Sequence, residues 1–307
     1  MTKAGEYTNK VIDYKNIIKQ NNIITEDGEL VRLHDQVYEN LAMDFITYQE
    51  QQEEARREQK EKAKFFRDKT EFEQAIKSNL GSFYFNFYNS LPKIERQYLF
   101  RFIYLSTYLK YDDDRIMIKD GQRYKLIKEN ELQKLLGLKK TEYFNTKKVL
   151  IDNKLIRVDP DGYIHINSKI STLGNISRTK KEYTRIFKDS IRELYEKSTP
   201  REHKKLYIFY ELLPYINYNL IIVCFNPEEV NPELIEPITI NDIIDNFYIN
   251  KQRSVAKKQL LTMTLGGEYL FIMITKYNKD FFVVNPKLYY KGNKIEDLNY
   301  LIDLFRV

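Results

Sequence analysis

Residues 139–148 read Lys-Lys-Thr-Glu-Tyr-Phe-Asn-Thr-Lys-Lys. Lys139, Lys140, Lys147 and Lys148 carry the ammonium groups that neutralise phosphates. Thr141, Tyr143 and Asn145 carry the donors and acceptors that pair with base edges. A second set lies at Lys251, Gln252, Arg253, Ser254, Lys257 and Lys258. There Gln252 suits adenine and Arg253 suits guanine, each through two parallel hydrogen bonds. Beyond each set stand further cations, Lys154 and Arg157 after the first and Lys276 and Lys279 after the second, placed for backbone or minor-groove contact.

Such groups reach a groove only from a rigid support, and the flanking sequence supplies one. Asn130 is placed to cap a helix running to Leu136, with Leu132, Leu135 and Leu136 turned inward. Gly137 allows the left-handed turn that ends it, and Leu138 plugs that turn. Lys140–Asp152 predicts a second helix with Phe144 and Leu150 among its buried positions. Lys154–Val158, a turn at Asp159-Pro160-Asp161-Gly162, and Tyr163–Asn167 predict a hairpin. Adding 111 to each number repeats the scaffold: Ile127 maps to Ile238, Asn130 to Asn241, Leu132 to Ile243, Leu136 to Phe247, Leu138 to Ile249, Phe144 to Val255 and Leu150 to Leu261. Gly137 has no glycine counterpart, with Tyr248 in that place. The second hairpin is expected at Glu268–Thr275 and Phe281–Val284, with its turn near Tyr277-Asn278-Lys279-Asp280. Strand, helix, turn, basic helix and hairpin, twice in order, predict tandem winged helix-turn-helix domains.

The charge distribution agrees. From Lys119 to Lys197 there are 19 Lys/Arg against 11 Asp/Glu, a net of +8, so the rest of the chain is −2 of the total +6. Localised positive charge is what a phosphate-binding surface needs. The basic stretch Arg178, Lys180, Lys181 and Arg185 is a further phosphate contact or an ordinary charged helix face. Cys224 is the only cysteine and sits in the apolar run Leu220–Phe225, so it reads as a buried thiol. Met1–Lys10 is polar, which predicts no signal peptide, and no run approaches the ~18 apolar residues of a membrane span. A cytoplasmic location is expected.

Enzyme chemistry finds little support. His34, His165 and His203 are far apart and lack ligand-spaced neighbours. No phosphate loop or dinucleotide fingerprint is present. Asp112-Asp113-Asp114 reads as a polar turn ahead of the strand Ile116–Ile118 rather than a magnesium site. No catalytic residue, metal, cofactor or small-molecule ligand is predicted.

The expected fold class is mainly α with small β-hairpins, in the α+β sense. Residues 1–80 form a lead-in with a hairpin signal at Asp27-Gly28 and a long helix from His34 to Ser78. Apolar spacing marks both ends of that helix, at Val37, Leu41, Phe45 and Tyr48, then at Phe65, Phe66, Phe72 and Ile76. Its middle, Gln49–Lys64, is polar, with Glu53/Arg57 and Glu58/Lys62 at i,i+4. It suits a spacer or homodimerisation arm, or else a partly disordered linker. Residues 81–177 form the first winged-helix domain, opened by the aromatic segment Gly81–Tyr88 and an apolar helix at Leu91–Tyr111. Residues 178–200 form a connecting helix, with Tyr183, Phe187, Ile191 and Leu194 along one side. Residues 201–307 form the second domain, with a helix at Leu206–Tyr218 kinked or ended by Pro214 and a last helix at Asn293–Phe305 buried through Ile295, Leu298, Ile302 and Phe305.

In NELQKLLGLKKTEYFNTKKVLIDNKLI and the hairpin DGYIHI, and in the order of elements over residues 91–292, the chain resembles plasmid and phage replication initiators with two winged-helix domains. It is also similar to phage-encoded winged-helix regulators of Gram-positive bacteria. The resemblance implies a double-stranded DNA partner. In those families the first domain commonly dimerises or touches the backbone while the second reads the repeat, whereas here the more basic unit is the first. Transcriptional control in a phage or other mobile element is the expected role. Replication initiation from origin repeats and a protein-binding adaptor are the alternatives.

Overall fold

The computed structural model of the chain describes residues 23–24, 30–31, 33–174, 183–247, 252–276, 279–292, 299, 301–302 and 304–305. It is a mixed α+β structure, with nine α-helices among the described residues and several small antiparallel sheets. Two units separate along the chain, Met1–Glu71 and Phe72–Val307.

In the first unit, β1 (Ile23–Ile24) pairs with β2 (Leu30–Val31), Ile23 opposite Val31. Helix α1 (Leu33–Leu80) follows, and residues 50–64 are exposed all round, as their composition requires. Glu58 pairs with Lys62 at 3.1 Å, but Arg57 turns forward to Glu61 at 3.5 Å rather than back to Glu53. These groups are solvated and contribute little. The side chains of Val37, Leu41, Phe45, Tyr48, Phe65 and Phe66 lie outside the described residues.

The second unit begins in the last turns of α1, where Phe72, Ile76 and Leu80 bury at helical spacing. Strand β3 (Phe83–Asn86) is buried at every residue, so the aromatic segment is core. Helix α2 (Arg96–Ser106) is buried from Leu99 to its end and is the central rod of the unit. It is shorter than the apolar run suggests, because Leu91 is already extended ahead of Pro92. Strands β4 (Leu109–Lys110), β5 (Asp113–Asp120) and β6 (Arg123–Leu126) form a meander. Then come α3 (Glu129–Leu136), α4 (Lys140–Asp152), the hairpin β7 (Ile156–Val158) and β8 (Ile164–Ile166), and β9 (Ser171–Thr172).

The expected helix over 178–197 is corrected. Its described part is strand β10 (Thr184–Phe187) followed by α5 (Lys188–Glu196), while Arg178, Lys180 and Lys181 lie outside the described residues. Thr184–Phe187 is buried on both faces, so it carries no alternation by which a strand is recognised. Short helices α6 (His203–Leu206) and α7 (Ile208–Glu211) precede a single 3-10 turn holding Pro214. Helices α8 (Ile240–Phe247) and α9 (Arg253–Leu261) come next. A small hairpin of β11 (Thr264–Leu265) and β12 (Glu268–Tyr269) takes residues expected in the second hairpin. That hairpin is β13 (Phe271–Lys276) with β14 (Lys279–Val284), and β15 (Tyr289–Tyr290) follows. In the last helix Ile302 and Phe305 are buried as expected, whereas Ile295 and Leu298 lie outside the described residues.

Strands from both halves build one four-stranded antiparallel sheet, ordered β15-β10-β3-β9. At its centre Phe85 faces Arg185, Tyr84 faces Ile186 and Asn86 faces Thr184. On the outer edges Phe85 faces Thr172 and Asn86 faces Ser171, while Arg185 faces Tyr290 and Ile186 faces Tyr289. Exchanging 85 for 185, 86 for 186, 172 for 290 and 171 for 289 leaves the pairing unchanged. That is the register of a local two-fold axis through the Phe85–Arg185 pair. Edge-on aromatic contacts fill the sheet, Phe85 with Tyr183 at 5.3 Å and Phe83 with Phe187 at 6.0 Å. Arg185 is therefore no phosphate contact. It is 6% exposed, donates to the Gly292 carbonyl at 3.0 Å, and its guanidinium carbon lies 5.2 Å from the Phe72 ring. One apolar core runs through both halves.

Candidate nucleic-acid interface

The repeat at a spacing of 111 survives in hydrogen bonds as well as residue types. Ahead of α3, the Ile127 N–H donates to the Ile116 carbonyl at 3.1 Å. Ahead of α8, the Ile238 N–H donates to the Val223 carbonyl at 3.0 Å. The Lys128 N–H then donates to Glu131 Oε2 at 3.2 Å, and the Thr239 N–H to Asp242 Oδ2 at 2.8 Å. Both helices thus start with an acidic side chain reaching back over the first turn. Each starts one residue ahead of the expected cap, Asn130 or Asn241.

The register slips by one in the following helices. Tyr143, Thr146 and Leu150 are the buried residues of α4, and Ala256 and Leu260, 110 residues on from the last two, are buried in α9. The expected burial of Phe144 and Val255 is therefore wrong. Phe144 is 48% exposed and Val255 39%, because the helix that carries them turns the neighbouring stripe inward.

Gly137 ends α3 in the left-handed region at φ 62°, and Leu138 behind it is buried. A Cβ at Gly137 would meet nothing within 4 Å, so only the backbone conformation resists substitution. Gly137→Ala is expected to cost about 1 kcal/mol. Urea unfolding checks this, and Gly137→Asn should lose less, since Asn tolerates this conformation.

Arg101 on α2 sets which face of α4 points inward. Its side chain is 1% exposed. It donates through Nη1 to Thr146 Oγ1 at 2.7 Å and through Nε to His203 Nδ1 at 3.3 Å, and Nη2 bonds Glu142. Since Arg only donates, His203 Nδ1 accepts and the ring is neutral. Burial, with Arg101 adding to it, pushes His203 down to about 4. On α3, Glu129 bonds Lys147. Glu142 and Glu129 are thus each bonded to a cation.

The outer face of α4 presents Lys139, Lys140, Thr141, Phe144, Asn145 and Lys148, all exposed. Two residues expected there are placed otherwise. Tyr143 is 6% exposed, and its hydroxyl donates to the Glu129 carbonyl at 3.0 Å, so it packs the helix pair and reads no base. Lys147 is largely covered and held by Glu129, which raises its pKa mainly through their hydrogen bond. Burial of Tyr143 and Lys147 and exposure of Phe144 follow from the same rotation.

Beside α4, Ile156–Val158 pairs with Ile164–Ile166, and Arg115 of β5 faces His165 of β8. His165 is buried between two carboxylates, with Nδ1 2.7 Å from Asp114 Oδ1 and Nε2 3.0 Å from Asp159 Oδ2. Its hydrogen bond holds the Asp159 carboxyl below the usual range. Arg157 is exposed but donates to Asp114 Oδ2 at 3.2 Å, whereas Lys154 projects at the base of the hairpin. Asp113 and Asp114 therefore brace Arg115, Arg157 and His165, and no cluster suited to a metal ion occurs among the described residues.

In the second half, Gln252, Ser254 and Lys258 are exposed and Lys257 is half-buried. Lys251 and the side chains of Arg253 and Lys276 lie outside the described residues, while Lys279 is exposed. Residues 206–250 hold seven acidic residues and no Lys or Arg. Four of the acids, Glu228, Glu229, Glu233 and Glu236, stand on the loop ahead of α8, which also exposes Phe225, Val230 and Leu234. That side of the second half is acidic.

Cross-braces tie the two helix pairs together. Tyr195 of α5 donates to the Leu136 carbonyl at the end of α3, at 2.9 Å. Arg96 of α2 donates to the Phe247 carbonyl at the end of α8, at 2.5 Å. Each half satisfies the terminal carbonyl of the other.

No protein-family model, curated protein or solved structure matches this chain. Cys224 is buried, and burial pushes its thiol up to about 11. No helix among the described residues is long and apolar enough to cross a membrane.

Proposed function

We propose that this chain is a sequence-specific, double-stranded-DNA-binding protein built from two winged helix-turn-helix units. The observation that carries the reading is the division of α4 into two faces. Arg101 pins the inner one, while Lys139, Lys140, Thr141, Asn145 and Lys148 stand together on the outer one. A helix about 10–12 Å across fits the ~12 Å major groove, and its first residues lie deepest in it. No side chain caps α4 at Lys139, so its leading amides and two lysines meet a phosphate together. The hairpin β7–β8 is the wing, with Lys154 its open cation. In the second unit α9 takes the same place, led by Gln252 and Ser254. Occupying an operator suffices for transcriptional control in a phage or other mobile element, which is the role we assign.

Fluorescence anisotropy with a duplex selected from a random pool tests this. Log affinity should fall with log salt by ~0.9 per phosphate contact. Replacing Lys139, Lys140 and Lys148 together by Ala should flatten that slope by roughly 2.7 and leave the unfolding midpoint unchanged, because all three are exposed. An unchanged slope removes α4 from the interface. Negligible affinity for every duplex at low salt returns the two units to the protein-binding class.

A further inference from the structure

The outer face of α4 is not uniformly polar. Phe144 stands in its first two turns, 48% exposed, and Ile151 lies two turns further on at 37%. Lys140 and Lys148 flank Phe144 one turn to either side, and Asn145 is its neighbour. The ring leans on Tyr143, centroids 5.3 Å apart at 54°, and Lys147 Nζ lies 5.5 Å from its centroid. It is thus propped at a set angle from beneath while its outer part meets solvent. A propped apolar group among lysines costs hydration until something apolar covers it.

We propose that Phe144 is a specificity-determining residue that packs against the C5-methyl of a thymine, while Asn145 takes the edge of an adenine. This rests on the duplex-binding reading above. The thymine methyl is the one apolar group that any base edge offers in the major groove. Phe offers no donor or acceptor, so a cytosine amine beneath it loses water without gaining a partner. An Asn amide matches adenine N6 and N7 with two hydrogen bonds. Consecutive residues diverge by about 100° around a helix. Phe144 and Asn145 therefore address neighbouring base pairs, and the first unit selects adjacent A·T pairs.

The test uses the full chain and a duplex selected from a random pool. Each thymine is replaced in turn by deoxyuridine, which lacks only the methyl. Wild type should lose about fourfold in affinity at one or two positions, the worth of one buried methyl. Phe144→Ala should be indifferent to the same replacements, and Phe144→Leu should keep part of the effect. Asn145→Ala should relax selection at the neighbouring adenine. Because Phe144 is exposed, both of its variants should keep the wild-type unfolding midpoint. Equal binding of every deoxyuridine duplex, or a methyl effect that persists in Phe144→Ala, overturns the assignment and leaves DNA binding standing. Failure to bind any duplex at low salt brings down the duplex-binding reading itself.

Discussion

Replacing Arg101 by Ala is expected to destabilise the chain by about 3 kcal/mol. Breaking a buried ion pair by removing one partner typically costs ~3–5 kcal/mol. The lower end applies because the Glu142 side chain is 39% exposed and rehydrates. Thr146 Oγ1 and His203 Nδ1 lose their donor in the same step, and the core gains a cavity. With roughly 2–4 °C per kcal/mol for a unit of this size, the melting midpoint should drop by about 6–12 °C. Urea unfolding followed by circular dichroism measures it. Combining Arg101→Met with Glu142→Gln should recover much of the loss, since an apolar chain of similar volume then replaces a pair rather than orphaning half of it. A midpoint within error of wild type for Arg101→Ala would show that the network does not hold α4.

Acid should begin to weaken the fold near pH 6.5, above the ordinary carboxylate range. His203 is pushed down to about 4 in the folded chain, against about 6.5 when unfolded. The unfolded chain therefore binds this proton first. The contribution of His203 is whole above about pH 6.5 and is lost as pH falls through the window to 4, amounting to roughly 3 kcal/mol. Asp113 and Asp159, both held low by hydrogen bonds, add their losses only below the ordinary carboxylate range. Glu211, raised by burial, titrates in the opposite sense. His203→Gln keeps an acceptor for Arg101 and does not titrate. Its stability should be level between pH 6.5 and 5 where that of wild type falls, and parallel curves would remove His203 as the cause.

What could be read from residue order alone was local. Gly137 at the turn, Leu132 and Leu136 inside α3, and the span Lys140–Asp152 follow from periodicity and backbone preference, and they stand in the structure. The phase of α4 could not be read. Tyr143 and Phe144 are both aromatic and about 100° apart, and the choice between them belongs to Arg101, some forty residues away. The four-stranded sheet was illegible for a similar reason. Phe83–Asn86 and Thr184–Phe187 are buried on both faces and pair across about a hundred residues, so neither shows the alternation of a half-exposed strand. Of the expected contacts, the open lysines were legible because exposure is the default for Lys. Lys147 was not, because Glu129, its partner, comes from the preceding helix.

The symmetric sheet and the reciprocal braces through Tyr195 and Arg96 bring a last consequence. A dyad made by two polypeptides dissolves on dilution and admits exchange of a damaged copy for a sound one. Here both halves leave the ribosome as one molecule, so their stoichiometry is always one to one and there is no subunit pool to titrate. Every lesion is carried by every molecule that bears it. Either half is free to change its own residues without obliging the other to follow.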